Sequence, residues 1–244
     1  MPETLESLKS KLARRACLIE VDARFAPADP AVASWFGRVD LALPGEPWPI
    51  FGGAPMAPVA QLNLREAPYV PPALADIALL TVFFGSDVFS RDSENGDGWV
   101  VRAYPALDDL RAIQAPDGAV EQLDDIRYGG KPIRPMPIRY RDLAVDYPDW
   151  ADVSPDLTIP EAIEDAWEDH FFPHEGSKLG GWPSLIQAEI FWAPWNHHPA
   201  NPEYVFQIGS VPKANFELVA GAVCYFGRGT GAARKVWTFT SQLD

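Results

Sequence analysis

The histidines are the residues whose positions most suggest chemistry, because all four fall in one acidic stretch: His170, His174, His197 and His198, with Glu168, Asp169 and Glu175 nearby. Imidazole and carboxylate groups bind zinc and other divalent ions, so a metal-assisted hydrolase or another enzyme centred on residues 170–198 is one hypothesis. A helical pair of ligands is disfavoured, since Pro173 would clash with the carbonyl four residues back. We favour solvated or loop-stabilising histidines and expect no bound metal or cofactor.

Other catalytic patterns are weak. The sequence has no Gly-x-Ser-x-Gly motif, and its two cysteines, Cys17 and Cys224, lie far apart without a Cys-x-x-Cys pair. We expect both to be buried, reduced thiols. The glycine-rich run at 227–231 lacks the Lys-Ser/Thr of a phosphate-binding loop, and it predicts a hairpin turn. These observations favour a non-enzymatic protein.

Charge limits the partners. The formal net charge is −14 and the pI is near 4.6, so nucleic acid and anionic membranes would be repelled. An acidic surface serves solubility, or it serves binding to a basic protein partner. No charged leader with an apolar stretch and no run of about 18 apolar residues occurs, so we expect a cytoplasmic protein.

Helical and alternating patterns indicate the elements that must position these residues. Leucines at helical spacing after Thr4 predict an amphipathic helix over 4–16, and residues 17–25 alternate as a strand. A second helix is predicted over 158–169, with Thr158 and Glu161 spaced as a capping box and Pro173 beyond its end. The 25 prolines indicate short elements joined by long loops.

An ordered internal repeat is the strongest pattern in the chain. Four segments recur in the same order at nearly constant spacing: 34–37 with 177–180, 59–62 with 205–208, 82–85 with 224–227, and 99–104 with 235–240. A three-stranded unit cannot bury its apolar face alone. The sequence therefore predicts an α+β fold in which a duplicated, mostly antiparallel β-rich module (34–104 and 177–240) and a few peripheral helices form a single compact domain over 1–244.

Several of these segments resemble the YwqG-like family of bacterial proteins of unknown function, DUF1963. Residues 177–183 (Ser-Lys-Leu-Gly-Gly-Trp-Pro) resemble its Lys-x-Gly-Gly-aromatic-Pro segment, and 58–64, 80–84 and 205–210 resemble its strands. Residues 216–221 depart from the Trp-Gly-Asp expected there. The resemblance implies a mixed α+β protein with a repeated β unit and no assigned reaction, and it suggests an immunity or toxin-binding role.

A binding surface is predicted where the two modules face each other, because loops of both converge there. The second module supplies Lys178, Trp182, His197 and His198, which combine a cation, a wide aromatic ring and two titratable rings. The alternative is that Lys178 extends past the Gly180-Gly181 turn while Trp182 fills the core. The leading functional hypothesis is a protein-binding module, with an immunity-type role toward a basic partner or toxin.

Overall fold

The protein is built almost entirely from β-strands. The computed structural model describes residues 3–89, 94–119, 133–154, 156–187, 190, 198–217 and 221–243. Within them lie three helices, α1 (Leu5–Leu12), α2 (Glu161–Glu164) and α3 (Trp167–His170). The strands are β1 (Arg14–Val21), β2 (Trp35–Phe36), β3 (Leu41–Ala42), β4 (Ile50–Phe51), β5 (Ala54–Pro55), β6 (Ala57–Asn63), β7 (Leu79–Phe84), β8 (Trp99–Tyr104), β9 (Arg111–Ala112), β10 (Met136–Asp146), β11 (Lys178–Gly180), β12 (Glu203–Gly209), β13 (Val223–Arg228) and β14 (Trp237–Gln242).

Ten of these strands form one antiparallel sheet in the order β14-β13-β12-β11-β1-β10-β2-β6-β7-β8. The long pair β1–β10 lies at its middle, with Glu20 opposite Arg139. We call β2, β6, β7 and β8 the first arm, and β11 to β14 the second arm. The prediction of mostly antiparallel sheet with few helices is confirmed. The strands β3–β9 and β4–β5 form two separate small pairs.

Apolar runs form the inner strands of both arms because these strands are buried on both faces. Every residue of β6, β7 and β13 is buried, as expected for near-continuous hydrophobic strands. Side chains alternate across such a strand, so neighbouring residues enter different clusters. Phe83 packs edge-on against Trp48 on one face of β7, while Phe84 points to the other face and the main core.

The two arms face each other across that main core. Phe84 of the first arm lies 5.7 Å from Phe239 of the second arm between ring centroids, and Trp99 lies 5.4 Å from Phe239. Within the second arm, Phe206 stacks on Phe226 at 4.3 Å. Such aromatic pairs stabilise the fold beyond the contribution of the apolar area that they bury. The sheet therefore curls so that its outer strands close on one shared core.

Two buried glutamines fix loops onto the inner strands. The Gln61 side chain accepts hydrogen bonds from the backbone of Asp40 and Leu41 and donates to two carbonyl groups of residues 31–33. The Gln207 side chain accepts from the backbone of Ser184 and donates to the Gly176 carbonyl. Both side chains are fully buried. Each glutamine thus satisfies backbone groups that would otherwise be buried without partners.

The predicted first helix is too long. Thr4 caps it as expected, since its hydroxyl oxygen accepts from the Ser7 backbone at 3.2 Å, but the helix ends at Leu12 instead of 16. The chain then enters β1 at Arg14, three residues before the predicted strand, and leaves it at Val21. Pairing with β10 and β11 on both sides outweighs the helical pattern here.

The predicted helix over 158–169 is also wrong in detail. It is two short helices, α2 and α3, and the capping box is not formed because Pro160 occupies the cap position without a side-chain hydrogen bond. Ala166 leaves the helical conformation between them. This break accompanies the burial of Trp167 in a cluster with Leu8 and Leu12 of α1.

The two cysteines are buried and free, as predicted. Desolvation raises the pKa of Cys17 to about 11, and burial raises the pKa of Cys224 well above its usual value. Neither thiol is therefore a thiolate near neutral pH. No helix in the described part of the chain is long and apolar enough to cross a membrane.

A bidentate ion pair joins the second arm to a loop next to the first arm. The Arg228 guanidinium in β13 donates to both oxygens of Asp76, at 2.6 and 2.9 Å, and to the Ala73 carbonyl. Such fork-like pairs are geometrically specific. The hydrogen bonds from Arg228 are the main reason that the pKa of Asp76 lies well below its usual value.

The ion pair of Asp76 makes the stability of the fold depend on pH. The pKa of Asp76 is lower in the folded chain than in the unfolded one. The contribution of its ionised carboxylate to the free energy of unfolding is therefore complete above about pH 4 and declines as the pH falls below that value. Urea unfolding should show Asp76→Asn to be less stable than wild type at pH 7, with a difference that narrows toward pH 3. The exposed Asp109→Asn variant serves as the control. A pH-independent difference for Asp76→Asn would contradict this role.

Candidate functional site

A buried ion pair lies at the centre of the site. Lys178 in β11 is fully buried, and its Nζ lies 2.8 Å from Oδ2 of Asp146, the last residue of β10. The same carboxylate accepts hydrogen bonds from the backbone N–H groups of Trp182 at 2.8 Å and His174 at 2.6 Å. Burial lowers the pKa of Lys178, and the charge of Asp146 opposes that shift. The pair therefore fixes two separate stretches of backbone around one carboxylate.

Two glycines let the chain turn around that carboxylate. Gly180 and Gly181 have φ values of +66° and +69°, a conformation that other residues rarely adopt. A Cβ on Gly181 would overlap Oδ2 of Asp146 and would lie 2.9 Å from Cβ of Ala16. The double glycine is thus required both by backbone conformation and by the close approach of Asp146.

Trp182 is placed by this turn. Its Nε1 donates to the Leu12 carbonyl at the end of α1, at 2.7 Å, and its ring packs in the cluster of Leu8, Leu12, Trp167 and Phe171. The Arg14 guanidinium carbon lies 3.2 Å from the centroid of the ring, which is a cation–π contact. Arg14 therefore covers one face of the ring, and Trp182 is only 8% exposed.

A cavity of 570 Å³ opens beside Trp182 and Arg14, and we call it the Trp182 cavity. Its walls come from both halves of the chain: Tyr69, Pro71 and Pro72 in the first half, and residues 180–183 and 201–204 in the second. Its volume falls in the range of ordinary ligand sites. Tyr69, Trp182 and Tyr204 supply aromatic wall.

The cavity carries both signs of charge. Arg15 forms an ion pair with Asp142 at 2.8 Å. The Arg14 guanidinium stacks on Trp182 and forms no hydrogen bond or ion pair with any described residue. Partial desolvation lowers the pKa of Arg14, although its outer edge stays exposed. Asp152, which is buried, and Glu203, which is exposed, complete the charged groups of the lining. Such a site can accept and donate hydrogen bonds side by side.

The residues predicted from the sequence are only partly brought together. Trp182 lines the cavity, and Lys178 lies beneath it in the ion pair, so its ammonium group does not reach the surface. The ring of His198 accepts a hydrogen bond from the Ala200 backbone through Nδ1, at 3.2 Å, within a loop. His197 lies outside the described residues.

The other histidines do not form a metal-binding group in the described chain. His170 ends α3, and His174 donates its backbone N–H to Asp146. Burial is the main cause that lowers the pKa of His174. No group of three or more His, Cys, Asp or Glu that could hold a metal ion occurs among the residues with described positions.

Several residues of the site were not recognised from the sequence, among them Arg14, Arg15, Asp146 and Glu203. The two arginines fall within the helix predicted over 4–16, and β10 was not predicted as a strand at all. The alternation of Met136, Ile138 and Tyr140 was the available signal for β10, since these side chains are buried or half-buried.

The fold and its cavity define an antiparallel β protein with few helices and a binding-sized opening between strands. The chain belongs to the DUF1963 family, described as a domain of unknown function, whose model matches residues 35–227. The family resemblance expected from the sequence is therefore confirmed. No curated protein matches this chain.

Breaking the central ion pair should destabilise the fold. Lys178→Met leaves a buried carboxylate without its cation, so we expect a loss of about 3 kcal/mol in the free energy of unfolding, measured with urea. The exposed Lys213→Met variant should change it by no more than about 0.5 kcal/mol. Equal stability of the Lys178→Met variant and wild type would show that the buried carboxylate of Asp146 does not need the Lys178 ammonium group.

Proposed function

We propose that this protein is a non-enzymatic protein-binding module and that its partner contacts the Trp182 cavity. The observation that carries the proposal is the Arg14 guanidinium, which forms no ion pair within the described residues and is held over Trp182 in a cavity of 570 Å³. Arginine stacked on an aromatic ring is a common anchor of protein interfaces, because it offers several donors with little further loss of freedom.

The partner that we propose is a basic protein. The chain carries 34 acidic against 20 basic side chains, and Glu203 brings an exposed carboxylate to the cavity itself. Complementary charge speeds encounter and selects partners. An immunity-type role, in which the module covers a basic toxin, follows from this charge and from the resemblance noted above. We place that role in the cytoplasm, which agrees with buried, unpaired cysteines.

The alternative of a metal-assisted hydrolase rests on the histidines at 170–198. Among the described members of that group, the ring of His198 accepts a hydrogen bond within its own loop, and His170 and His174 are not gathered with other possible metal ligands. Nothing in the described chain favours this alternative, so binding remains the proposal.

We also propose that the two arms are copies of one module, at about 34–104 and 177–240. Three correspondences support it. The strands β2, β6, β7 and β8 run outward from the centre in the same order as β11 to β14. Gly37 and Gly180 have φ values of +71° and +66° directly after β2 and at the end of β11. Gln61 and Gln207 occupy matching strands and bind loop backbone in the same manner.

If the arms are copies, the two glutamines have equal roles. Gln61→Leu and Gln207→Leu each leave buried backbone groups without partners, so each should lower the free energy of unfolding by about 2 kcal/mol. The exposed Gln114→Leu variant should change it by less than about 0.5 kcal/mol. A large loss in the free energy of unfolding for one of these variants, with none for the other, would argue against the proposal that the two arms are copies of one module.

Partner recovery tests the proposed function. Immobilised wild-type protein and the Arg139→Ala control, altered on the outer face of β10, should recover the same basic protein from a native lysate. Arg14→Ala should recover at least about tenfold less, because an anchor contact is lost. Raising the salt concentration should also reduce recovery. Trp182→Ala is unsuitable because the ring is buried in the α1 cluster.

Equal recovery by Arg14→Ala and wild type would remove the Trp182 cavity from the interface. A partner that is itself acidic would contradict the charge argument.

A further inference from the structure

The two most exposed aromatic side chains of the described chain lie at one opening. Phe172 is 69% exposed and Trp150 is 42% exposed, although large aromatic rings are mostly buried in folded proteins. Both line a cavity of 420 Å³, which we call the Trp150 cavity. Its described walls come from residues 149–150 and 164–173, and both stretches are described without a gap. Its volume lies at the lower end of the range of ligand sites.

Two tryptophan rings form a corner of this cavity. The ring of Trp150 meets the ring of Trp167 at 70°, with their centroids 5.0 Å apart. Trp167 is buried, its Nε1 donates to the Pro148 carbonyl at 3.3 Å, and its ring stacks on Phe171 at 4.2 Å. The core therefore fixes one wall of the corner, while the rings of Trp150 and Phe172 remain open to solvent. Aromatic faces around an opening attract cations.

The charged groups in the described lining of the Trp150 cavity are all acidic. Four exposed carboxylates line it without a side-chain hydrogen bond or ion pair to any described residue: Glu164, Asp165, Glu168 and Asp169. Asp149 adds a fifth carboxylate, and the described lining contains no lysine, arginine or histidine. Carboxylates gathered around one opening repel one another, and a cation placed among them offsets that repulsion.

The aromatic walls indicate an organic cation as the ligand. Among the residues with described positions, these carboxylates do not form a group that could hold a metal ion. A guanidinium group stacks on aromatic rings and directs its N–H donors to carboxylates that lie around its plane. The lysine ammonium group is a compact and more strongly hydrated charge that cannot stack. The combination of exposed rings and unpaired carboxylates therefore fits arginine best.

We propose that the Trp150 cavity binds an arginine side chain of the basic protein partner. This inference rests on the proposed binding function and adds a second contact to it. Trp167 of this cavity and Trp182 of the first cavity belong to one apolar cluster, together with Leu8 and Leu12 of α1. The two cavities are therefore joined through that cluster, and one protein interface of ordinary size reaches both.

Capped Gly-x-Gly tripeptides are the probes, with arginine, lysine or citrulline at the central position. Citrulline has the shape of arginine without its charge. Binding is measured at low ionic strength from the indole N–H resonance of Trp150 in NMR spectra of the full-length chain. The arginine peptide should bind with a Kd of about 1–10 mM. The lysine peptide should bind at least about threefold more weakly, and the citrulline peptide at least about tenfold more weakly.

An exposed ring provides the first test of location. Phe172→Ala should weaken binding of the arginine peptide at least about threefold, because a face for the guanidinium is lost. Phe25→Ala is the matched control, since it also removes an exposed phenylalanine but one outside the cavity, and it should bind as wild type does. In the partner-recovery experiment, Phe172→Ala should recover less of the basic protein than Phe25→Ala.

The carboxylates provide the second test of location. The double variant Glu168→Gln/Asp169→Asn keeps the size of both side chains and removes two charges, so it should weaken binding of the arginine peptide at least about threefold. The double variant Asp108→Asn/Asp109→Asn removes two exposed charges elsewhere and should stay within about 1.5-fold of wild type.

Any of four results would overturn the inference: no saturable shift of the Trp150 resonance up to about 50 mM arginine peptide, equal binding of the arginine and citrulline peptides, tighter binding of the lysine peptide, or no effect of Phe172→Ala on peptide binding or on partner recovery. Its failure is distinguishable from that of the proposed function. If partner recovery depends on Arg14 while the arginine peptide does not bind, the partner contacts the Trp182 cavity alone. If the peptide binds while recovery does not depend on Arg14, the proposed use of the Trp182 cavity fails and the arginine site stands.

Discussion

The carboxylate of Asp146 is the group on which the site depends. A buried charge is stable only when it is paired and hydrogen-bonded, and Asp146 meets both conditions with the Lys178 ammonium and two backbone N–H groups. The two N–H groups belong to His174 before β11 and to Trp182 after it, and Lys178 is the first residue of β11 itself. One carboxylate at the end of β10 therefore determines where the chain enters β11, where it leaves, and why Gly181 has no room for a side chain.

The consequences extend outward from that contact. The turn places Trp182 where its indole N–H binds the end of α1 and where its ring receives the Arg14 guanidinium. Because Arg14 lies opposite Asp146 in the central strand pair, the ion pair and the cation–π contact share one short stretch of sheet. The early end of β11 then leaves a cavity between two strands. The cavity proposed as a binding surface is thus shaped by a buried structural contact, and Lys178 belongs to that contact, so its ammonium group does not reach the surface.

Local patterns in the sequence predicted many of the strands, but they did not predict the contacts around Asp146. The apolar runs of β6, β7 and β13 were recognisable because strands buried on both faces are hydrophobic throughout. The segment from Lys178 to Trp182 was singled out, but its partner Asp146 lies 32 residues earlier in the chain. That pairing has no local signature. β10 was missed because its second half is exposed and charged, and Arg14 was assigned to a helix because strand pairing from distant residues decides its conformation.

Site-resolved amide hydrogen exchange tests the role of Asp146 most directly. The backbone N–H groups of His174 and Trp182 donate to this carboxylate, and a hydrogen-bonded amide of this kind is protected from exchange. The account predicts that both amides are protected in wild type, and that in Asp146→Ala they exchange at least about 100-fold faster relative to the amides of β6 and β7. Unchanged protection of these two amides in Asp146→Ala would contradict the account.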